Sequence, residues 1–165
     1  MAVTARTPLG ASTVNRKWWL DLNTGTVAAP VWVGLFGINE FQPNLEPTVQ
    51  DDSDFDSGDD KSSTVTARAW SCAIKVARKV PAASATAYDP GQEVLRLASE
   101  EIGAANSVLV RFYEMTPDGP RVEAYSGRAA VSWTPDGGGM DALSTVAVTL
   151  TGQGRRTAIT HPDTA

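Results

Sequence analysis

The sequence holds one cysteine, Cys72, and one histidine, His161, in 165 residues. A single cysteine excludes an intrachain disulfide framework and any multi-cysteine zinc or iron–sulfur site. A single histidine excludes chemistry that needs two of them within one chain. Long apolar runs are missing as well. The longest uncharged apolar stretch, VAAPVWVGLFGI, is too short to span a bilayer and contains Pro30, Gly34 and Gly37. Membrane insertion is therefore not expected. No apolar segment precedes Trp18 and Trp19, so a chain made in the cytoplasm without an ordinary signal peptide is expected. Basic charge is also in short supply. Fourteen Lys and Arg against nineteen Asp and Glu leave a net charge of −5, whereas a free nucleic-acid binder is usually basic.

What remains, 42% hydrophobic and 20% charged, suits one domain over residues 1–165 with a substantial core. Residues 1–15 are small and polar and form an expected N-terminal arm. Residues 16–151 carry the core pattern, and residues 152–165 again look arm-like. Trp18, Leu20 and Leu22 alternate, which predicts a strand. The turn signal Asn23-Thr24-Gly25-Thr26 separates it from a β-branched, aromatic strand at Val31–Phe36. Residues 37–62 read as a long irregular loop. It contains Pro43, Pro47 and the acidic run DDSDFDSGDD, and loops of that length are usually functional, disordered or partner-bound.

Thr64 to Val80 alternates for unusually long. Val65, Ala67, Ala69, Ser71 and Ala73 make a small-residue face, and Trp70, Cys72, Ile74 and Val76 a bulkier one. Such a strand exceeds the usual 17–20 Å and is expected to run past the core of its own subunit. One helix is predicted over 90–102. Asp89 is its N-cap, Pro90 its first residue and Gln92 the partner in a capping box. Val94, Leu97, Ala98 and Ile102 form its apolar stripe, and Gly103 its stop. Ser107–Met115, Arg121–Trp133 (with a weak point at Gly127) and Leu143–Thr151 are three further strands. The expected fold is mainly β: a β-sandwich or barrel of about six to eight strands with one flanking α-helix, a long loop and extended terminal arms.

Little in the sequence supports catalysis. Asp52, Asp54 and Asp56 have the 1, 3, 5 spacing of a calcium loop, but Ser57 and Ser63 stand where glycine and glutamate are needed. A solvated or partner-facing acidic loop is the better reading, and no metal or cofactor is expected. His161 lies in a Pro-containing tail with no nucleophile motif near it. Gly137-Gly138-Gly139 lacks the strand–helix context of a phosphate loop. Trp18, Trp19, Trp32, Trp70 and Trp133 could instead form a sugar platform, so a carbohydrate-binding β-sandwich is one alternative.

Four phrases in order carry a resemblance. They are NRKWWLDLNTG, PVWVGLFGINEFQPNLEPTVQDDSDFDSGDDKSS, AYDPGQEVLRLASEEIG and SWTPDGGGMDALSTVAVTLTGQGRRT. Together they resemble the tail tube (major tail) proteins of long-tailed phages that infect actinomycete bacteria, from about Asn15 to His161. The resemblance implies a structural virion protein without enzymatic activity. It implies homohexameric rings that stack into a hollow tube. The tube would enclose a tape-measure protein, meet tail-terminator and distal tail proteins at its ends, and conduct phage DNA without specific binding. A tube protein of a phage-like contractile injection system is a second alternative.

Contacts between subunits or rings are expected at Asp51, Asp52, Asp54, Phe55 and Asp56 of the acidic run. Their basic counterparts are expected among Arg6, Arg16, Arg155 and Arg156. Arg68, Lys75 and Lys79, on or beside the long strand, are candidates to face the lumen.

Overall fold

The computed structural model describes residues 8–116 and 119–163. Seven strands and one helix follow in chain order: β1 (Trp18–Asn23), β2 (Trp32–Gly34), β3 (Ile38–Asp51), β4 (Ser63–Ala77), α1 (Pro90–Ser99), β5 (Ser107–Glu114), β6 (Ala124–Pro135) and β7 (Thr145–Ala158). The fold is thus mainly β with one flanking helix. The strands form one antiparallel sheet in the order β2-β1-β5-β6-β7-β4-β3, and it does not close into a barrel.

The two edge strands are neighbours in sequence. Only Leu35, Phe36 and Gly37 join β2 to β3, a span of at most about 14 Å. The sheet must therefore curl until its edges approach. Trp18 of β1 stacks on Phe41 of β3 with ring centroids 5.6 Å apart, and Asn15 Nδ2 donates to the Phe41 carbonyl at 2.9 Å. Inside the curl, Phe112 touches Trp18, Phe41, Trp70 and Tyr125. Leu20, Leu22, Cys72, Val76, Val110, Val148 and Leu150 complete this core.

Helix α1 closes the corner between the edges. Asp89 caps it by accepting from the Gln92 N–H at 3.0 Å. The expected capping box is not made, because the Gln92 side chain turns into the protein. There it donates to the Phe36 carbonyl at 2.9 Å and the Ala77 carbonyl at 3.0 Å. The helix face is also rotated from the expected stripe. Gly91, Gln92 and Leu95 are buried, while Leu97 and Ile102 are exposed. Gly91 is required at this contact, since a Cβ there would lie 2.5 Å from the Gly34 carbonyl oxygen. The helix ends at Ser99, before Ile102, and Gly103 takes the left-handed conformation at φ 65°.

Two segments differ from their sequence reading. Residues 38–51 are not irregular but a strand paired with β4 along its whole length. Pro43 and Pro47 are tolerated because β3 is an edge strand, where a missing N–H costs no central ladder bond. Residues 152–158 are not tail but the second half of β7, and Tyr125 and Ser126 of β6 pair with its last two residues. Gly152 and Gly154 mimic a chain break there; Gly152 makes room for the Trp70 indole, and Gly154 takes a left-handed conformation at φ 82°. His161 is buried, with Nε2 2.6 Å from the Glu114 carbonyl and Nδ1 accepting from the Asp163 N–H. Among the described residues no helix is long and apolar enough to cross a membrane.

Candidate assembly interface

Strands β3 and β4 begin in the core and leave it together. Buried residues continue along the pair as far as Phe41 of β3 and Trp70 of β4; from Glu46–Ala69 to Asp51–Ser63 both strands are exposed on both faces. This hairpin projects by about 20 Å at 3.3 Å per residue. A bulge at Thr66 of β4 keeps the faces in phase. Phe41, Leu45 and Val49 thus share one face with Ile74, Trp70 and Val65. The apolar face of the core continues outward along the hairpin, where Leu45, Val49 and Val65 are left exposed.

The tip, which mutual repulsion predicts to be disordered, is tied by short-range bonds. Asp54 Oδ1 accepts from the Asp56 N–H and the Ser57 hydroxyl, and the Ser57 Oγ accepts from the Asp54 N–H. The Asp52 carboxylate accepts from the Thr64 hydroxyl at 2.5 Å. The Ser53 hydroxyl and N–H hold the Asp51 carboxyl below the usual range, and the Thr64 and Ser62 hydroxyls do the same for Asp52. Asp51 and Asp52 therefore stay charged well below neutral pH. Phe55 stands at its apex, fully exposed. Residues 51–61 hold six aspartates against Lys61 alone, so their formal charge of −5 equals that of the whole chain. The rest of the subunit is formally neutral.

At the hairpin's base the sheet forks. Strands β4 and β7 pair from Ala77–Thr145 to Ser71–Thr151 and then part. Strand β7 carries extra residues opposite Gly127 of β6, and Gly154 within them sits at φ 82°. Trp70 fills the fork. Its Nε1 donates to the Gly154 carbonyl at 2.9 Å, and a Cβ on either Gly127 or Gly152 would collide with its ring.

Beside it lies a cleft of about 700 Å³ floored by Leu45, Val65, Trp70 and Tyr125. Arg68, Arg155 and Arg156 line the same cleft, the last with its guanidinium 4.2 Å from the Tyr125 ring centroid. Among the described residues none of the three has a carboxylate partner.

The residues expected at interfaces thus separate into groups. Asp51, Asp52, Asp54, Phe55 and Asp56 share the tip. Arg155 and Arg156 join Arg68, which the sequence had placed with the lumen candidates. Lys75 lies at the far end of β4, paired with Asp136 at 3.2 Å, and Lys79 is exposed just past the strand. Arg16 lines a separate 460 Å³ groove with Trp19, Leu35, Phe36 and Ile38. Arg6 lies outside the described residues. Sequence reasoning missed Arg78, whose guanidinium lies 3.7 Å from the Tyr88 ring centroid and pairs with Glu93 at 2.8 Å. It also missed the cleft, where Arg68 meets Arg155 and Arg156 from more than eighty positions away in the chain.

Of the five tryptophans only Trp19 is exposed. Trp32 is covered by the Arg111 guanidinium, 4.5 Å from its ring centroid, and Trp133 lies beside Arg78. A coplanar pair for sugar stacking is not formed. Among the described residues no group of three or more His, Cys, Asp or Glu side chains could hold a metal ion.

No protein-family model and no curated protein matches this chain. Solved structures do. A chain of the tail of an empty gene transfer agent particle, refined helically with C6 symmetry, superposes with a TM-score of 0.64 at 10% identity, over 90% of this chain and all of the other. A chain of the native gene transfer agent virion gives 0.60 at 10% identity with the same coverage. One from the six-fold symmetrised baseplate of the anti-feeding prophage gives 0.58 at 9% identity, over 93% of this chain and 99% of the other. The chain therefore shares the fold of components of phage-tail-like particles.

Proposed function

We propose that this chain is a tail tube subunit, a structural virion protein without catalysis. Six copies form a ring, and rings stack into a hollow tube around a tape-measure protein, bounded by terminator and distal tail proteins. Phage DNA later passes through the lumen. The observation that carries this reading is the β3–β4 hairpin. A lone two-stranded ribbon is marginal in water, yet this one extends the apolar face of the core into solvent with nothing in its own subunit to cover Leu45, Val49 and Val65. A neighbouring copy supplies that cover. The six-fold symmetry named for two of the structures that share the fold supports six copies per ring. The sequence resemblance adds a long-tailed phage and an actinomycete host. Negative-stain images of the purified protein test the reading: six-fold rings or tubes are expected, and dispersed monomers at high concentration overturn it.

A tube within a contractile injection system is the second reading, favoured by the fold shared with the anti-feeding prophage baseplate chain. It requires a sheath around the tube. Particles isolated from the producing cell with a sheath layer outside the tube decide for it.

A further inference from the structure

Taking the ring-forming reading as its basis, we propose that the acidic tip of one copy, with Phe55 at its apex, seats in the arginine-lined cleft of the next copy. The two surfaces match in chemistry. Phe55 is a fully exposed aromatic on a tip held in shape by Asp54 and Ser57. The cleft offers an apolar floor of Leu45, Val65, Trp70 and Tyr125 at its centre. Close to Phe55 in the chain are Asp54, Asp56, Asp59 and Asp60, none with a cation partner among the described residues; lining the cleft with the floor are Arg68, Arg155 and Arg156, none with an anion partner. Uncompensated charge of both signs on one subunit is resolved when a second copy brings them together. Within one subunit, among the described residues, no carboxylate of the tip pairs with any of these arginines, and Phe55 stays fully exposed.

Tip and cleft are different patches, so the contact is head-to-tail. Such contacts close into rings or continue as helices. The aromatic anchor in an apolar seat supplies the desolvated centre of the contact, and the charges around it steer approach and set register.

Charge reversal with rescue tests this, with monomer folding checked by thermal melting. Arg155→Glu with Arg156→Glu should raise the critical concentration for assembly by about tenfold or more, and so should Asp56→Lys with Asp59→Lys. All four substitutions in one chain should restore assembly. Phe55→Ala should weaken it without changing the melting temperature of the monomer. Arg128→Glu, at an exposed arginine of β6 outside the cleft, should assemble as the native protein does. A Ser57→Cys, Thr66→Cys double variant should oxidise into covalent oligomers whatever the charge variants do.

If the native protein stays monomeric, the tube reading fails. If native tubes form but both reversals assemble normally and no oligomer cross-links, the tip-in-cleft contact is wrong and the tube reading stands. Loss on reversing Arg16 alone moves the seat to the groove beside Trp19 and overturns the proposal. Binding of a short DNA duplex by the native protein, lost in the Arg155/Arg156 variant whose assembly is intact, makes the cleft a phosphate site and overturns it too.

Discussion

The Trp70 indole lies so close to Gly152 that a Cβ there would sit 2.3 Å from its Nε1. Gly152→Ala should therefore force the ring off its seat and break its bond to the Gly154 carbonyl. Overpacking of this kind costs about 1–3 kcal/mol. Urea denaturation should show a lower midpoint with an unchanged slope. Gly139→Ala, where a Cβ meets nothing within 4 Å, should leave stability near native. Equal midpoints for the two variants would place the indole elsewhere.

Gln92 bridges the Phe36 and Ala77 carbonyls with one amide nitrogen. Gln92→Leu keeps much of the volume and leaves two partly buried acceptors without this donor, at about 1 kcal/mol each. The thermal midpoint should fall by several degrees, and hydrogen exchange should quicken first around residues 34–37 and at the start of α1. Exchange that quickens uniformly instead would show that the bridge does not tie this corner.

Burial tends to raise the Glu114 carboxyl. The Lys17 ammonium at 2.5 Å and the Glu123 and Val122 N–H groups outweigh it and hold the group below its ordinary range. A carboxyl lowered in the folded state stabilises above its unfolded pKa, and that contribution is lost as pH falls through the folded value. Melting temperature followed downward from neutral pH should decline through the acid range. Glu114→Gln should flatten this decline while starting lower at pH 7. A variant with the native acid profile would assign the decline to other carboxylates.

Burial pushes the Cys72 thiol up to about 12. Since the thiolate is the reactive form, a thiol reagent at pH 8 should label the native protein only through unfolding and label it at once in denaturant. Rapid labelling of the folded protein would show that β4 opens locally.

Much of the local structure is legible in the residues. Asp89 and Pro90 mark the helix start, and alternation marks β1, β4 and β5 because each has one face on the core. Strand β3 is hidden because its prolines signal a loop, and only its place at the sheet edge makes them harmless. Leu95 is missed because burial on α1 is decided by the 34–37 corner and not by the widest apolar stripe. The acidic tip and its six aspartates can be read directly. The cleft cannot, since Arg68 meets Arg155 and Arg156 only through the fork that Trp70 and two glycines create.

The strand order has a consequence for the timing of synthesis. Strands β1 to β4 emerge first, as two hairpins, yet they occupy opposite flanks of the finished sheet. The three strands between them come from residues 107–158, made after all four. A ribosome-bound chain therefore holds β1 with one side unpaired until β5 is made and β4 until β7 is made, and such non-local closure is slow. The hairpin tip exists before Arg155 and Arg156, which come with the second half of β7. If the tip docks as proposed, a nascent chain can donate its tip before it can accept one, and polymerisation waits for β7.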